Sequence, residues 1–182
     1  EFPEFPSYEG KARISIDSHS LIESLKKITP AIDTNNPKFE LNGALIDIKQ
    51  DSINFASTDT RRLAIVNIEN QSASELSIII PKKAIIEIQK LFFDNIELYY
   101  DDTNLIIHSN QYTFFTKLIN GKFPEYSRII PKEITNTLIL PKAIMIDSIK
   151  QITTISSDVK ITFLNNFITF ESLSDDNIEA KT

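Results

Sequence analysis

Alternating apolar and polar residues predict strands and helices that recur in a fixed order. Residues 12–17 alternate in the manner of a half-buried strand. Asp17 or Ser18 can cap the helix that comes next, since its apolar residues recur at helical spacing. Pro30 predicts that this helix ends or bends near Thr29. The chain therefore opens with a strand followed by a short amphipathic helix.

Strand-like stretches come after this helix, and the whole order then repeats. Three strands are predicted over residues 39–48, 52–57 and 62–68. The second round has a strand over residues 76–80 and places Pro81 at the first helical position. One apolar helix face is predicted from Ala84, Ile85, Ile88, Leu91 and Phe92. Three further strands are expected over residues 96–100, 105–108 and 113–118.

A segment rich in turn residues separates this pair of repeats from the remaining third of the chain. In residues 117–131, Gly121 predicts a backbone turn, and Pro124 and Pro131 exclude a regular helix or a central strand. Residues 2–5 (FPEF) resemble residues 123–126 (FPEY). Both stretches are interpreted as connectors between domains.

The same order begins a third time after the connector. A strand is predicted over residues 137–140, then Pro141 at a helix start, then a helix to about Ile152. Two strands come next, over residues 160–163 and 167–171, around a turn at Asn165-Asn166.

Three rounds of one order predict an α+β fold built from β-α-β-β-β units, with helices on one face of antiparallel sheets. The alternative is that the chain has no internal repeat, since strands and helices often alternate in this way in α+β chains. The expected organisation is a connector over residues 1–9, a complete domain over 10–131 and a truncated domain over 132–182. On this interpretation the chain is a fragment of a longer protein.

Composition agrees with a globular domain, and the charge is distributed unevenly. The 182 residues are 41% hydrophobic and 24% charged, with no cysteine and a net charge of −6. No apolar run approaches the roughly 18 residues of a membrane span. The three predicted helices nevertheless carry seven lysines against three acidic residues. Those lysines are Lys26, Lys27, Lys82, Lys83, Lys90, Lys142 and Lys150. This bias favours a helical surface that meets phosphates without reading bases.

Residues for catalysis or metal binding are scarce. The three glycines lie far apart, which excludes a glycine-rich phosphate loop. His19 and His108 are the only histidines, too few for most metal sites or histidine triads. The carboxylate pairs Asp101-Asp102 and Asp175-Asp176 fall in predicted turns or near the end of the chain. We therefore expect no cofactor and no catalysis.

Two motifs resemble the bacterial DNA polymerase III beta subunit, the sliding clamp. Residues 57–65 (STDTRRLAI) are similar to that family's Thr-Asp-Gly-His-Arg-Leu-Ala-like motif. Residues 117–131 (KLINGKFPEYSRIIP) are similar to its Lys-Leu-(x)2-Gly-(Lys/Arg)-Phe-Pro-(Asp/Glu)-Tyr-(x)-Arg-(x)2-Pro motif. The resemblance implies domains of two β-α-β-β-β units, three to a crescent, with two crescents closed head to tail in a ring. Helices would line the hole through which DNA passes.

The resemblance also implies a pocket for a short Gln-Leu-(x)-Leu-Phe-like peptide. Matched by motif, its residues here are Leu41, Thr58, Thr60, Arg61, Arg62, Leu63, Pro124, Arg128 and Ile129. Thr60 stands where the family often has glycine, and Arg61 where it often has histidine. The DNA-facing residues expected are the seven helical lysines together with Lys38 and Phe39.

The function implied is that of a processivity factor rather than an enzyme. Expected partners are double-stranded DNA without sequence preference, the polymerase III alpha subunit, the clamp loader and other proteins with clamp-binding peptides. The full-length protein is expected to be a homodimer in the cytoplasm, associated with the nucleoid and not with a membrane. Two alternatives stay open. One is a sheet-based module that binds nucleic acid or protein without forming a ring, and the other is a hydrolase that uses Asp, Ser and His.

Overall fold

A computed structural model describes residues 5–70, 75–92, 95–165 and 167–173. The chain divides into two compact units, Glu1–Ile130 and Pro131–Thr182. Three features predicted from sequence lie outside the described residues. They are residues 2–4 of the first connector, the second half of the Asn165-Asn166 turn and the Asp175-Asp176 pair. Of the helices in the described ranges, none has the length and apolar character needed to cross a bilayer.

The first unit contains the two predicted repeats in the predicted order. The first repeat consists of β1 (Ala12–Ile14), α1 (Ser18–Ile28), β2 (Gly43–Ile48), β3 (Ser52–Thr58) and β4 (Leu63–Glu69). The second consists of β5 (Leu76–Pro81), α2 (Lys82–Leu91), β6 (Glu97–Tyr100), β7 (Asn104–His108) and β8 (Thr113–Lys117). The cap of the first helix is confirmed, because the Asp17 carboxylate accepts from the backbone N–H of Ser20 at 2.8 Å.

The two repeats exchange their first strands. One antiparallel sheet has the order β4-β3-β2-β5 and the other the order β1-β6-β7-β8, so each sheet holds three strands of one repeat and one of the other. The sheets approach each other beyond β8, where the backbone N–H of Ile119 donates to the carbonyl of Ile79 at 2.9 Å. Neither repeat could keep its sheet without the other.

A single hydrophobic core lies between the helices and both sheets. Its fully buried side chains come from α1, α2, β3 and β7, for example Leu25, Ile85, Phe55 and Leu105. Each such side chain stabilises the fold by about 1.5–3 kcal/mol. Helices on one face of antiparallel sheets, the fold class predicted from sequence, are therefore confirmed for the first unit.

The strand predicted over residues 39–48 is wrong in its first part. Phe39–Asn42 is a short 3-10 helix, and the strand begins only at Gly43. The Asn42 side chain accepts from the backbone N–H of Asn36 at 2.8 Å and donates to the carbonyl of the same residue at 2.9 Å. These bonds fold the segment back on itself and prevent an extended conformation.

Other predicted boundaries shift by a few residues. Pro81 is the last residue of β5 and the N-cap of α2, and the helix begins at Lys82 rather than at the proline. Its extended backbone lets it pair with Gly43 across the sheet. Pro141 likewise precedes its helix as N-cap. The first strand ends at Ile14, because the chain must leave the sheet to form the capped start of α1.

The second unit consists of α3 (Lys142–Thr153) and a hairpin of β9 (Val159–Phe163) and β10 (Ile168–Ser172). The strand predicted over residues 137–140 is wrong, since those residues have no strand conformation. A strand needs a partner, and in the described ranges no strand pairs with this segment. Ile139 is accordingly 97% exposed.

Candidate functional site

A second, smaller apolar cluster covers the face of the sheet β4-β3-β2-β5 that points away from the helices, here called the outer face. Side chains alternate across a strand, so the neighbours of core residues point outward. Leu45 of β2, Ala56 of β3 and Ile79 of β5 are buried there together with Leu41 and Phe123. The outer face is thus a separate packing surface.

The connector segment, residues 117–130, packs onto this outer face. Its Phe123 is 6% exposed, and Ile119 and Tyr126 pack against the same cluster. Gly43 permits the approach, because a Cβ there would lie 2.5 Å from the carbonyl oxygen of Ile80 and 2.7 Å from Cδ1 of Ile119. The predicted turn at the connector glycine is also confirmed, with φ of 143°. The connector is therefore part of the folded first unit.

Three of the predicted pocket residues share the outer face. Thr58 and Leu63 are direct partners in the β3–β4 register, and they point to the same side as Ala56. Leu41 is 2% exposed and belongs to the outer cluster. The structure therefore brings Leu41, Thr58 and Leu63 to one surface, although Leu41 is mostly covered.

The turn between β3 and β4 holds three more of the predicted residues, and Asp59 organises it. Asp59 Oδ1 accepts from the backbone N–H groups of Arg61 at 3.0 Å and Arg62 at 2.8 Å. Asp59 Oδ2 accepts from Nε of Arg62 at 3.0 Å and lies 2.9 Å from Nη2 of the same guanidinium. Thr58 Oγ1 donates to the carbonyl of Arg62 at 2.6 Å. Thr60, at the centre of the turn, has φ of 74°.

These hydrogen bonds perturb the Asp59 carboxyl group. The backbone N–H of Arg62, its guanidinium and the backbone N–H of Arg61 together lower the pKa of Asp59 to about 2. The carboxylate is therefore charged over the whole physiological range, and it neutralises Arg62.

The remaining pocket residues lie in the exposed end of the connector. Pro124 is exposed and follows the buried Phe123 directly. Arg128 ends the short 3-10 helix Tyr126–Arg128 and pairs with Glu125 at 2.7 Å. Ile129 is 68% exposed. These residues form an exposed ledge with apolar and cationic groups.

The first unit also has a cleft of about 1200 Å³ beside this ledge. It lies between β5, the β6–β7 turn and the connector, and Pro124 is in its lining. Tyr126 lies in the same wall, where burial and the nearby Asp47 carboxylate raise the pKa of its hydroxyl. The cleft extends the connector surface towards the second sheet.

Sequence reasoning missed Asp59, Phe123 and Tyr126 as components of this surface. A signal was present for Asp59, because aspartate commonly accepts from backbone N–H groups two and three residues ahead in a turn. Phe123 and Tyr126 are within the second motif, but no pattern indicated that they pack on the outer face of a sheet.

The predicted DNA-facing lysines of the first unit differ in their solvent exposure and in the contacts that their side chains form. Lys27 and Lys83 are exposed, and Lys83 lies outside the buried face of α2, which consists of Ala84, Ile85 and Ile88. Lys26 pairs with Glu23 at 2.8 Å, a contact that also lowers the pKa of that carboxyl. Surface pairs of this kind are weak.

Lys82 and Lys90 are more constrained. Lys82 Nζ donates to the carbonyl of Ile32 at 2.7 Å, which ties the start of α2 to the loop after α1. Lys90 pairs with Glu87 at 3.0 Å. Lys38 and Phe39 are exposed in the first unit, as are Lys142 and Lys150 in the second.

Within the described ranges, no group of three histidine, cysteine or acidic side chains is placed to hold a metal ion. His19 is exposed, and the ring of His108 stacks on Tyr8 with centroids 5.1 Å apart. Nδ1 of His108 lies 2.9 Å from Oγ1 of Thr113, its cross-strand partner.

Comparisons with known proteins agree with this fold and these motifs. The family model of the DNA polymerase III beta subunit, central domain, matches residues 15–125. The beta sliding clamp of Helicobacter pylori (strain ATCC 700392 / 26695) is 38% identical over all of this chain and half of its own length. That of Synechocystis sp. is 27% identical over 97% of this chain and 49% of its own length. The chain thus spans about half the length of the curated relatives it matches.

Solved structures show the same fold. A Helicobacter pylori beta clamp bound to a DNA ligase peptide has 37% identity and a TM-score of 0.89, and the match covers 100% of this chain and 52% of that one. The sliding clamp of Bacillus subtilis has 20% identity and a TM-score of 0.91 over 51% of its length, which supports the fold alone. From the family match and the 38% identity, the chain belongs to the DNA polymerase III beta subunit family, the beta sliding clamps.

Proposed function

We propose that the protein is a DNA sliding clamp, a ring around duplex DNA that tethers the replicative polymerase and other proteins. The observation that carries the proposal is the 38% identity to a beta sliding clamp over all of the chain. Enclosure of DNA by a ring requires no base readout and no tight phosphate grip, so the ring slides. The protein catalyses nothing itself.

The proposal assigns a role to each part of the chain. Residues 10–131 form the middle clamp domain, in support of which the central-domain model matches residues 15–125. Residues 132–182 form the start of the C-terminal clamp domain, and residues 1–9 a connector from an N-terminal one. In the full-length protein, two copies close head to tail into the ring.

We further propose that partner peptides bind at the outer face and the connector ledge. The residues concerned are Leu41, Thr58, Thr60, Arg61, Arg62, Leu63, Pro124, Arg128 and Ile129. Apolar peptide side chains would pack on Leu63, Pro124 and Ile129, which retain exposed surface. The arginine stems would extend that surface, and the guanidinium groups that Asp59 does not hold would bind peptide carbonyls or carboxylates. Peptides of the polymerase III alpha subunit and the clamp loader would compete for it.

The helix lysines would face the DNA in this arrangement. Lys27 and Lys83 are suited to phosphate contacts because both are exposed and form no ion pair in the described ranges. Lys26 and Lys90 would each give up a weak surface ion pair with a glutamate and bind a DNA phosphate instead. The protein would then act at the nucleoid.

A fluorescence anisotropy titration tests the peptide part of the proposal. A labelled Gln-Leu-(x)-Leu-Phe peptide is titrated with the full-length protein and with its Leu63→Ala and Arg128→Ala variants. We expect saturable binding that each substitution weakens roughly fivefold or more, the loss of an important interface contact. A scrambled peptide should not bind.

Arg13→Ala is the matched control for Arg128→Ala. Arg13 is also exposed and also ion-paired, with Glu97 at 3.2 Å, but it lies on the other sheet. Equal weakening by both arginine variants would indicate a non-specific charge effect. No binding by the folded protein would refute the peptide site and favour a module that binds through its sheets without forming a ring.

A further inference from the structure

The β3–β4 turn contains one carboxylate and two guanidinium groups, and the structure pairs only two of these three charges. Asp59 holds Arg62 through both the guanidinium and the backbone N–H. The side chain of Arg61 is exposed, and its guanidinium has no hydrogen-bond or ion-pair partner in the part of the chain that the structure describes. One positive charge at this turn is therefore uncompensated.

Hydrogen bonds fix the backbone of the turn on both sides of Arg61. Thr60 has a left-handed conformation, and its backbone N–H donates to Thr58 Oγ1 at 3.0 Å. The turn then closes so that the backbone N–H groups of Arg61 and Arg62 both reach one oxygen of Asp59. With its backbone fixed and its neighbour neutralised, the Arg61 side chain is the one free to meet a ligand.

The acidic group near the turn is engaged elsewhere and forms no ion pair with Arg61 in the described ranges. It is Asp33, whose charged carboxylate accepts from Asn36 Nδ2 at 2.8 Å and from the backbone N–H of Thr34 at 2.6 Å. The adjacent strand surface is apolar, with Leu63 half-buried and Ile65 38% exposed. An exposed cation beside an apolar strip suits a ligand with an apolar segment and a carboxylate close to it.

We propose that Arg61 is a specificity-determining residue that binds a carboxylate in the partner peptide, and that Asp59 is its positioning residue. Asp59 fixes the turn and withholds Arg62 from the ligand, so one guanidinium, not two, recognises the acidic group. The inference rests on the proposed peptide-binding function and adds the chemistry of the preferred partner, an apolar peptide flanked by acidic residues.

The test compares two labelled peptides on the full-length protein. One carries the Gln-Leu-(x)-Leu-Phe sequence with glutamate on each side, and the other has glutamine at the same two places. The measured quantity is the ratio of the two dissociation constants, because a general loss of structure would weaken both peptides alike. The variants are Arg61→Gln, Arg61→Lys and Asp59→Asn, with Arg13→Gln as an exposed arginine on the other sheet.

We expect the unsubstituted protein to prefer the glutamate peptide by about fivefold, which corresponds to one exposed ion pair near the upper end of its usual range. Arg61→Gln should abolish the preference, Arg61→Lys should retain part of it, and Arg13→Gln should leave it unchanged. Asp59→Asn keeps an oxygen for the backbone N–H groups but releases the Arg62 guanidinium, so the preference should increase.

Binding of both peptides with equal affinity, or a preference that survives Arg61→Gln, would overturn the inference while leaving the proposed function intact. A lower preference in Asp59→Asn would overturn the role given to Asp59. If neither peptide binds the unsubstituted protein, the proposed function fails and the inference fails with it.

Discussion

Replacing Thr60 with glycine should stabilise the first unit. Thr60 has φ of 74°, a left-handed conformation in which a Cβ lies too close to the following carbonyl oxygen. That conformation costs a residue with a Cβ about 1–2 kcal/mol. Glycine removes this cost but loses more backbone entropy on folding, about 0.5–1 kcal/mol. Since the side chain of Thr60 is exposed, little packing is lost. The central values of the two ranges give a net gain of about 0.75 kcal/mol.

Urea unfolding followed by far-ultraviolet circular dichroism measures this gain. With a slope of about 2 kcal/mol per molar urea, the midpoint should rise by roughly 0.3–0.5 M. Thr60→Ala is the matched control, because alanine removes the hydroxyl and the methyl group but keeps Cβ. It should change the free energy of unfolding by less than about 0.5 kcal/mol. Amide exchange in β3 and β4 localises the effect to this turn.

Two results would refute the reasoning. A lower midpoint for Thr60→Gly would mean that the threonine side chain contributes contacts that outweigh the backbone cost. An equal gain from Thr60→Ala would mean that the cost lies in the branched side chain rather than in the left-handed backbone.

Three further predictions concern the outer face, the turn and the helix lysines. Gly43→Ala should destabilise the protein by about 1–3 kcal/mol in urea unfolding, because the new Cβ would lie 2.5 Å from the backbone oxygen of Ile80. The stabilisation from Asp59, whose folded-state pKa is about 2, should be complete above pH 4 and should disappear as the pH falls towards 2, as measured by urea midpoints against pH. Lys83→Ala with Lys90→Ala should weaken DNA binding and reduce the slope of log K against log salt by about 2, while peptide affinity stays unchanged.

Each of these predictions has a control and a contradicting result. Unchanged stability of Gly43→Ala would mean that both β5 and the connector shift away from the new Cβ at no cost. Asp59→Asn should remove the difference between pH 4 and pH 2 that Asp59 causes, and a persistent difference would assign it to other carboxylates. Lys117→Ala with Lys122→Ala, two exposed lysines of the connector, should leave DNA binding unchanged. If the helix variant (Lys83→Ala with Lys90→Ala) and the connector variant had equal slopes of log K against log salt, a DNA-facing helix surface would be contradicted.

Much of the candidate site could be predicted from sequence because its residues lie in two short motifs. The arginines of the turn and the exposed residues of the connector were found in this way. Asp59 was missed although aspartate is a common hydrogen-bond acceptor in turns, because the N–H groups that it reaches depend on a left-handed backbone at Thr60 that a threonine rarely adopts. Leu41 was found by motif, but only the packing of Phe123 against the outer face shows that it is almost fully covered.

The sequence by itself determined most of the order of strands and helices, a helix cap at Asp17 or Ser18, the turn at Gly121 and the buried face of α2. These features depend on contacts within a few residues, which hydrophobic spacing and turn residues report directly. It also determined the family, because the two motifs are local in sequence. The false strand over residues 137–140 shows the limit, since an apolar run does not specify its partner.

Only the tertiary structure decided that the two repeats exchange their first strands. The pairing of β1 with β6 and of β5 with β2 joins residues far apart in the chain, and either repeat could have been expected to form its own sheet. The exchange places α1 beside α2 over one core and frees the opposite face of one sheet for the connector. Such pairings are selected by the total apolar surface buried in the folded unit, a quantity that no local pattern contains.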